Sequence, residues 1–173
     1  MFATQVYFVY NKCVATLKII KDKEFLHKKS KPVSEFDGRL HQLIDDMRET
    51  LGNAGGVGLA AVQVGTLYRV CIIETDRDSG EYVELVNPEI IEARCPKKGE
   101  EGCLSVPKIY IKIVRPTKVT VRAFDRHGKL FERKFEKLAA VCACHEIDHL
   151  DGIIITDKIT EDDATPASNK GEL

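Results

Sequence analysis

The clearest periodicity in the chain lies between Asp37 and Leu51. Leu43, Ile44, Met47 and Leu51 fall three, four, seven and eleven positions after Leu40, one stripe of an amphipathic helix. Asp37 stands where an N-cap belongs. Asp45, Asp46, Arg48 and Glu49 fill the opposite face, and Gly52, Asn53, Gly55 and Gly56 predict its end. Beyond this helix the pattern changes to short β-branched runs. Tyr68 to Glu74 reads as a strand, Asp76 to Gly80 as a turn, and Tyr82 to Val86 and Glu89 to Arg94 as two further strands parted by Pro88. Lys97 to Glu100 reads as a loop. Thr117 to Phe124 alternates, with Val119, Val121 and Ala123 on one face. Asp125 to Gly128 then turns the chain and Leu130 to Phe135 returns, which predicts a β-hairpin. The helical pattern resumes from Leu138 to Leu150, followed by a short closing strand at Ile153 to Ile155.

The ends carry less pattern. Val6 to Tyr10 reads as a short edge strand. Lys18 to Ser34 is basic and contains Pro32, which predicts an extended surface segment. The acidic stretch from Glu161 reads as a loose tail. The order is one helix, contiguous hairpin-linked strands, then one helix. It predicts an α+β fold with mostly antiparallel sheets wrapped around the C-terminal helix. The chain divides into an N-terminal extension over residues 1–17, a single domain over 18–160 and a tail over 161–173.

Composition narrows the class. At 173 residues, 43% apolar and a net charge of −1, the chain can bury a proper core and has no bulk attraction for nucleic acid. No apolar run approaches the ~20 residues of a membrane helix, so neither nucleic-acid nor membrane binding is expected. Six cysteines without a signal-peptide pattern predict reduced thiols in a cytoplasm rather than a disulfide framework.

The chemistry begins on the last helix, at His145-Glu146-Ile147-Asp148-His149. Residues four apart share a helical face, so the two imidazoles can hold one metal ion. Glu146 stands beside the first, where a carboxylate can reach water at the metal without being a ligand. Two histidines do not close a site, and the third ligand decides the class. Cys103, in Glu101-Gly102-Cys103-Leu104-Ser105, is a candidate: a thiolate and two imidazoles leave a tetrahedral ion one open position, as catalytic sites do. A zincin-type protease requires a further His or Glu ligand beyond His149, and no His follows it. A structural zinc domain requires a fourth Cys or His, and none falls in a motif with these three. Gln63 ends an apolar run and reads either as a strand-end hydrogen bond to backbone or as an amide aimed at an oxyanion. Gly56 and Gly58 permit close backbone approach, and a substrate strand beside them is one use of it. Cys142, three before His145, and Leu138, one turn earlier, read with Val57 as core or as the wall of an apolar pocket. Glu101 is a candidate acceptor for the free N–H of a ligand imidazole, and Asp148 a candidate partner of Arg115. His127 reads as a solvated turn residue.

Gly56-Val57-Gly58-Leu59-Ala60-Ala61-Val62-Gln63, Glu101-Gly102-Cys103-Leu104-Ser105 and His145-Glu146-Ile147-Asp148-His149 together resemble, in order and spacing, the three motifs of the peptide deformylases. The likeness runs from about Ile19 to Ile159. It implies a deformylase-like α+β fold, a Cys103-His145-His149 metal site, and removal of the N-formyl group from the formylmethionine of nascent polypeptides with release of formate. It implies Glu146 as proton carrier, and Gln63 with the backbone N–H of Leu104 as donors to the oxyanion. Val57, Gly58, Leu138 and Cys142 would meet the substrate. Ferrous iron is the usual metal of such proteins, with zinc or nickel able to replace it. Transient contact with the ribosome and a cytoplasmic location follow from the substrate. Val62 stands where Pro is frequent, Cys144 where Gln usually precedes the first His, and Tyr110 where some members carry an Arg near the substrate entrance.

Overall fold

The computed structural model describes residues 14–76 and 80–159. The strand expected at Val6 to Tyr10, the centre of the Asp76 to Gly80 turn and the tail from Glu161 lie outside them. The described chain begins against the second of its helices: Ala15 N–H donates to Asp46 and Leu17 N–H to Thr50 Oγ1, each at 2.8 Å. The basic segment is not wholly extended, because Asp22 caps a four-residue helix α1, Lys23–Leu26, by accepting from Glu24 N–H. Helix α2, Gly38–Ala54, starts where Asp37 accepts from the N–H groups of Arg39 and Leu40. It ends within the expected stop, at a C-cap on Gly55, whose φ of 66° is one that glycine adopts without strain.

Five strands follow: β1 Gly58–Ala60, β2 Val70–Asp76, β3 Glu81–Cys103, β4 Val106–Phe124 and β5 Leu130–Glu136. They form a single antiparallel sheet in the order β1-β2-β3-β4-β5. Helix α3, Lys137–Leu150, packs against it. Alternation along β2 explains the layering. Val70 and Ile72 pack with Leu40, Ile44, Met47 and Leu51 of α2, whereas Cys71 and Ile73 pack with Ala140, Cys142 and Ala143 of α3. A strand buried on both faces reads as a continuous apolar run, as Val70-Cys71-Ile72-Ile73 does.

Two expectations are corrected. Tyr82–Val86, Glu89–Arg94 and the loop at Lys97–Glu100 are one long strand, β3. Pro88 is accommodated at a register shift between Val86 and Glu89, where the ladder needs no N–H from it. The outer half is held by continuous pairing with β4 from Pro96↔Pro116 to Glu101↔Ile111. Ile153 to Ile155 is not a strand: Ile154 N–H donates to Asp157 Oδ2 at 2.8 Å and starts a 3-10 turn, Ile155–Lys158. Ile154 enters the core beneath α3, and Ile155 joins Val106, Ile111 and Ile113 of β4.

Candidate metal centre

The β3–β4 hairpin and α3 build the site between them. Cys103 is the last residue of β3, and Leu104 and Ser105 form the turn into β4. Half-buried Cys103 meets two buried imidazoles on one face of α3. Its Sγ lies 3.2 Å from His149 Nε2, and the His145 and His149 ring centroids are 4.9 Å apart at 78°. One ligand atom from each of Cys103, His145 and His149 lies within 4.8 Å of the others, and this is the one such His/Cys/carboxylate group among the described residues.

Several features fit a single divalent ion here. A soft thiolate with two imidazoles is a set for a borderline transition metal. His145 Nδ1 is 3.1 Å from Glu101 Oε2, the outer contact that fixes which ring nitrogen is free to bind. Negative groups converge: burial opposes a charge on His145, but hydrogen bonds to Cys103 and Glu101 and the nearby Glu146 lift it to about 10. Burial and the neighbouring His145 depress His149 to about 3, keeping that imidazole in the neutral, ligating form.

Glu146 is fully enclosed, and burial pushes its carboxyl up to about 7 against the pull of His145. Its Oε1 faces Gly58, where a Cβ would come within 2.5 Å of that oxygen and 2.4 Å of Cys142 Sγ. The close approach at Gly58 is therefore to α3, a use the sequence reading did not assign. Oε2 is buried with no hydrogen-bond partner among the described residues. Gln63 makes the strand-end hydrogen bond to backbone that one of its sequence readings expects. Its Oε1 accepts from Ala60 N–H at 2.8 Å, which turns Nε2 towards Ser105 Oγ at 3.3 Å and Cys103 Sγ at 3.6 Å.

A cavity of about 440 Å³ opens over these groups and includes Gln63, Cys103, Leu104, His145 and Glu146 in its wall. Val57, Gly58, Cys142 and Leu138 line it too, so the sequence-derived site residues other than His149 share one cavity, and His149 joins through Cys103. Leu138 is exposed rather than core and stands at the rim. Cys142 is wall: its thiol is buried, lies 3.4 Å from the Val57 carbonyl and is pushed well up in pKa by that burial.

Behind the imidazoles lies a network read only as a pair in the sequence. Buried Arg115 donates to both oxygens of Glu101, at 2.8 and 3.1 Å, and to Asp148. Lys158 meets Asp148 from the 3-10 turn. Burial opposes the Arg115 charge, but both carboxylates outweigh it and raise its pKa; despite burial, the hydrogen bonds from His145 and Arg115 hold Glu101 below the usual range. The signal in the sequence was an Arg in the inward register of Ile111 and Ile113. His127 is exposed and rests edge-on against His41, away from this site.

Comparison with known proteins bears on the whole chain. A family model described as polypeptide deformylase matches residues 16–165. The chain is 49% identical over 138 residues to the peptide deformylase of Caldicellulosiruptor bescii, covering 80% of this chain and 81% of that protein. The crystal structure of a peptide deformylase from Legionella pneumophila superposes with a TM-score of 0.80 at 45% identity, covering 86% and 88% of the two chains. A Met-Ala-Ser-bound class I type b peptide deformylase from Acinetobacter baumannii superposes with a TM-score of 0.78 at 33% identity, covering 85% and 100%.

Proposed function

The chain belongs to the polypeptide deformylase family, and from that premise we propose how its own residues carry out the reaction. The enzyme removes the N-formyl group from the N-terminal formylmethionine of nascent polypeptides and releases formate. Cys103, His145 and His149 would hold one divalent ion, and Fe(II) suits the thiolate–imidazole set, with Zn(II) or Ni(II) able to replace it. When bound, the ion supplies Lewis acidity, which lowers the pKa of water and polarises a carbonyl.

Glu146 takes the proton of the attacking water as oxygen bonds to the formyl carbon. The carbonyl oxygen becomes an oxyanion, and Gln63 Nε2 and the Leu104 N–H donate to it. Glu146 returns the proton to the nitrogen as the C–N bond breaks, so formate and a free amino terminus leave. Val57 and Cys142 receive the methionine side chain, with Leu138 at the rim and Gly58 giving Glu146 its room. Arg115 and Glu101 hold His145 in orientation. Formylated chains emerge where translation occurs, which supports transient contact with the ribosome and a cytoplasmic location. No helix among the described residues is long and apolar enough to cross a membrane.

The observation that carries this reading is the meeting of the Cys103, His145 and His149 ligand atoms within 4.8 Å, with Glu146 in the wall of the same cavity and its Oε2 buried without a hydrogen-bond partner among the described residues. Formate release from formyl-Met-Ala-Ser tests it. Glu146→Ala is expected to retain its metal after anaerobic preparation and lose about 10²–10⁴-fold in kcat. Near-normal turnover in that variant would remove Glu146 from the reaction.

A further inference from the structure

Ser105 closes the short motif that carries Cys103, yet it neither ligates a metal nor lines the cavity. It stands in the turn between β3 and β4 and is 3% exposed. Its hydroxyl has one hydrogen-bond partner among the described residues: Gln63 Nε2 donates to Ser105 Oγ at 3.3 Å. A primary amide offers one acceptor oxygen and two N–H donors. In Gln63, itself 1% exposed, the oxygen is taken by Ala60 N–H at 2.8 Å and one donor by Ser105. These two bonds fix the amide plane and its sense. Turned over, the amide would set its NH2 against the N–H of Ala60, donor against donor, at a buried position where that loss is costly. The second donor of Nε2 meets only Cys103 Sγ, 3.6 Å away, and sulfur is a weak acceptor. One hydrogen of Gln63 is therefore left uncommitted, on the side of the metal-ligand group.

We propose that Ser105 is a positioning residue: its hydroxyl occupies one N–H of Gln63 so that the other alone is presented to the reacting oxygen. A donor held in place before the reaction needs no reorganisation as charge develops. The inference rests on the deformylase reading, in which Gln63 donates to the oxyanion. It also gives the β3–β4 turn a second task, because the segment that presents the Cys103 thiol sets the amide as well.

The test is formyl-Met-Ala-Ser turnover by Ser105→Ala, Gln63→Ala and the double variant, with metal content and Tm measured on each. Ser105→Ala is expected to lower kcat about five- to tenfold, the size of one neutral hydrogen bond. KM should stay within about twofold, because the interaction weakened belongs to the transition state. In the Gln63→Ala background the same change should cost less than about twofold, since no amide remains to be oriented. In the zinc-loaded protein the Gln63 side-chain amide should be rigid by NMR relaxation, and mobile once Ser105 is replaced by Ala. An unchanged kcat in Ser105→Ala, an equal loss in both backgrounds, or an amide equally rigid with and without the hydroxyl overturns the proposal. Should Ser105→Ala fail to fold, Ser105→Cys, close in size but a weaker acceptor, enters the same cycle and is read by the same outcomes. Absence of formate with the wild type, or a Gln63→Ala variant as fast as wild type, would instead overturn the reading on which the inference rests.

Discussion

Helix α2 buries Leu40, Ile44, Met47 and Leu51 and leaves Arg48 and Glu49 in water. Helix α3, on the other face of the sheet, buries Cys142, Cys144, His145, Glu146 and His149 among Ala140, Ala143, Ile147 and Leu150. The first helix uses its hidden face for transfer of apolar surface out of water; the second uses much of its own for groups that water would have solvated. The difference shows in what each needs around it. Buried Thr50 of α2 is satisfied by backbone alone, donating to Asp46 O one turn back and accepting from Leu17 N–H. Of the buried groups of α3, His145 draws on Glu101 from β3, which Arg115 from β4 holds in turn, and His149 meets Cys103 at the end of β3. The buried polar groups of α3 thus depend on side chains far away in sequence, whereas buried Thr50 of α2 depends on backbone.

Mutations at the two helices sharpen that contrast. The largest loss is expected from Arg115→Met, which leaves buried Glu101 without its guanidinium and half-buried Asp148 with Lys158 as its remaining cation. Denaturant titration should show about 3–5 kcal/mol lost, and metal affinity should fall about 10–100-fold because His145 loses its fixed partner. Gly58→Ala comes next and acts on rate. Its methyl displaces Glu146 or Cys142, so kcat should fall about a hundredfold while the metal is retained. Ile44→Val, on the α2 side, should cost about 0.5–1.5 kcal/mol with metal content and kcat unchanged. If Ile44→Val altered metal binding, the division of labour between the two faces would not hold.

The smallest effect concerns the start of α2. The Arg39 side chain and the N–H of Leu40 hold the Asp37 carboxyl below its usual range. A depressed carboxyl contributes stability that is fully present above its unfolded pKa of about 3.9 and fades as pH falls through the lower folded value. Asp37→Ala should therefore lower Tm modestly at neutral pH, and the gap from wild type should close by roughly pH 2. A gap that persisted there would mean that capping, not charge, carries the contribution.

The stripe of α2, the β4–β5 hairpin and the helix from Leu138 to Leu150 were legible because each has one wet face and one dry face. The outer half of β3 was not. Residues 92–100 face water on most positions, so the alternation that marks a strand is missing and only pairing with β4 reveals it. His145 and His149 were legible from residue type and spacing, whereas Cys103, alone a small buried hydrophobe by type, was legible only together with the other two motifs. The full Arg115 network was not, because it joins β3, β4 and α3 through contacts 14 and 33 positions apart in the chain. Nor did sequence show why Gly58 must lack a side chain, since the atoms that need its space come from residues 142 and 146.

Strand order in the sheet equals chain order, and this bears on how the molecule acquires its shape. Neighbouring strands can zip together as successive hairpins, each closing a modest loop, and such nearby pairing speeds folding. The thiol of Cys103 is then presented at the end of a finished hairpin before the last helix docks. Both imidazoles arrive on that helix, so the three ligand candidates come together only when it docks, and a chain truncated before His145 would present Cys103 without either of them.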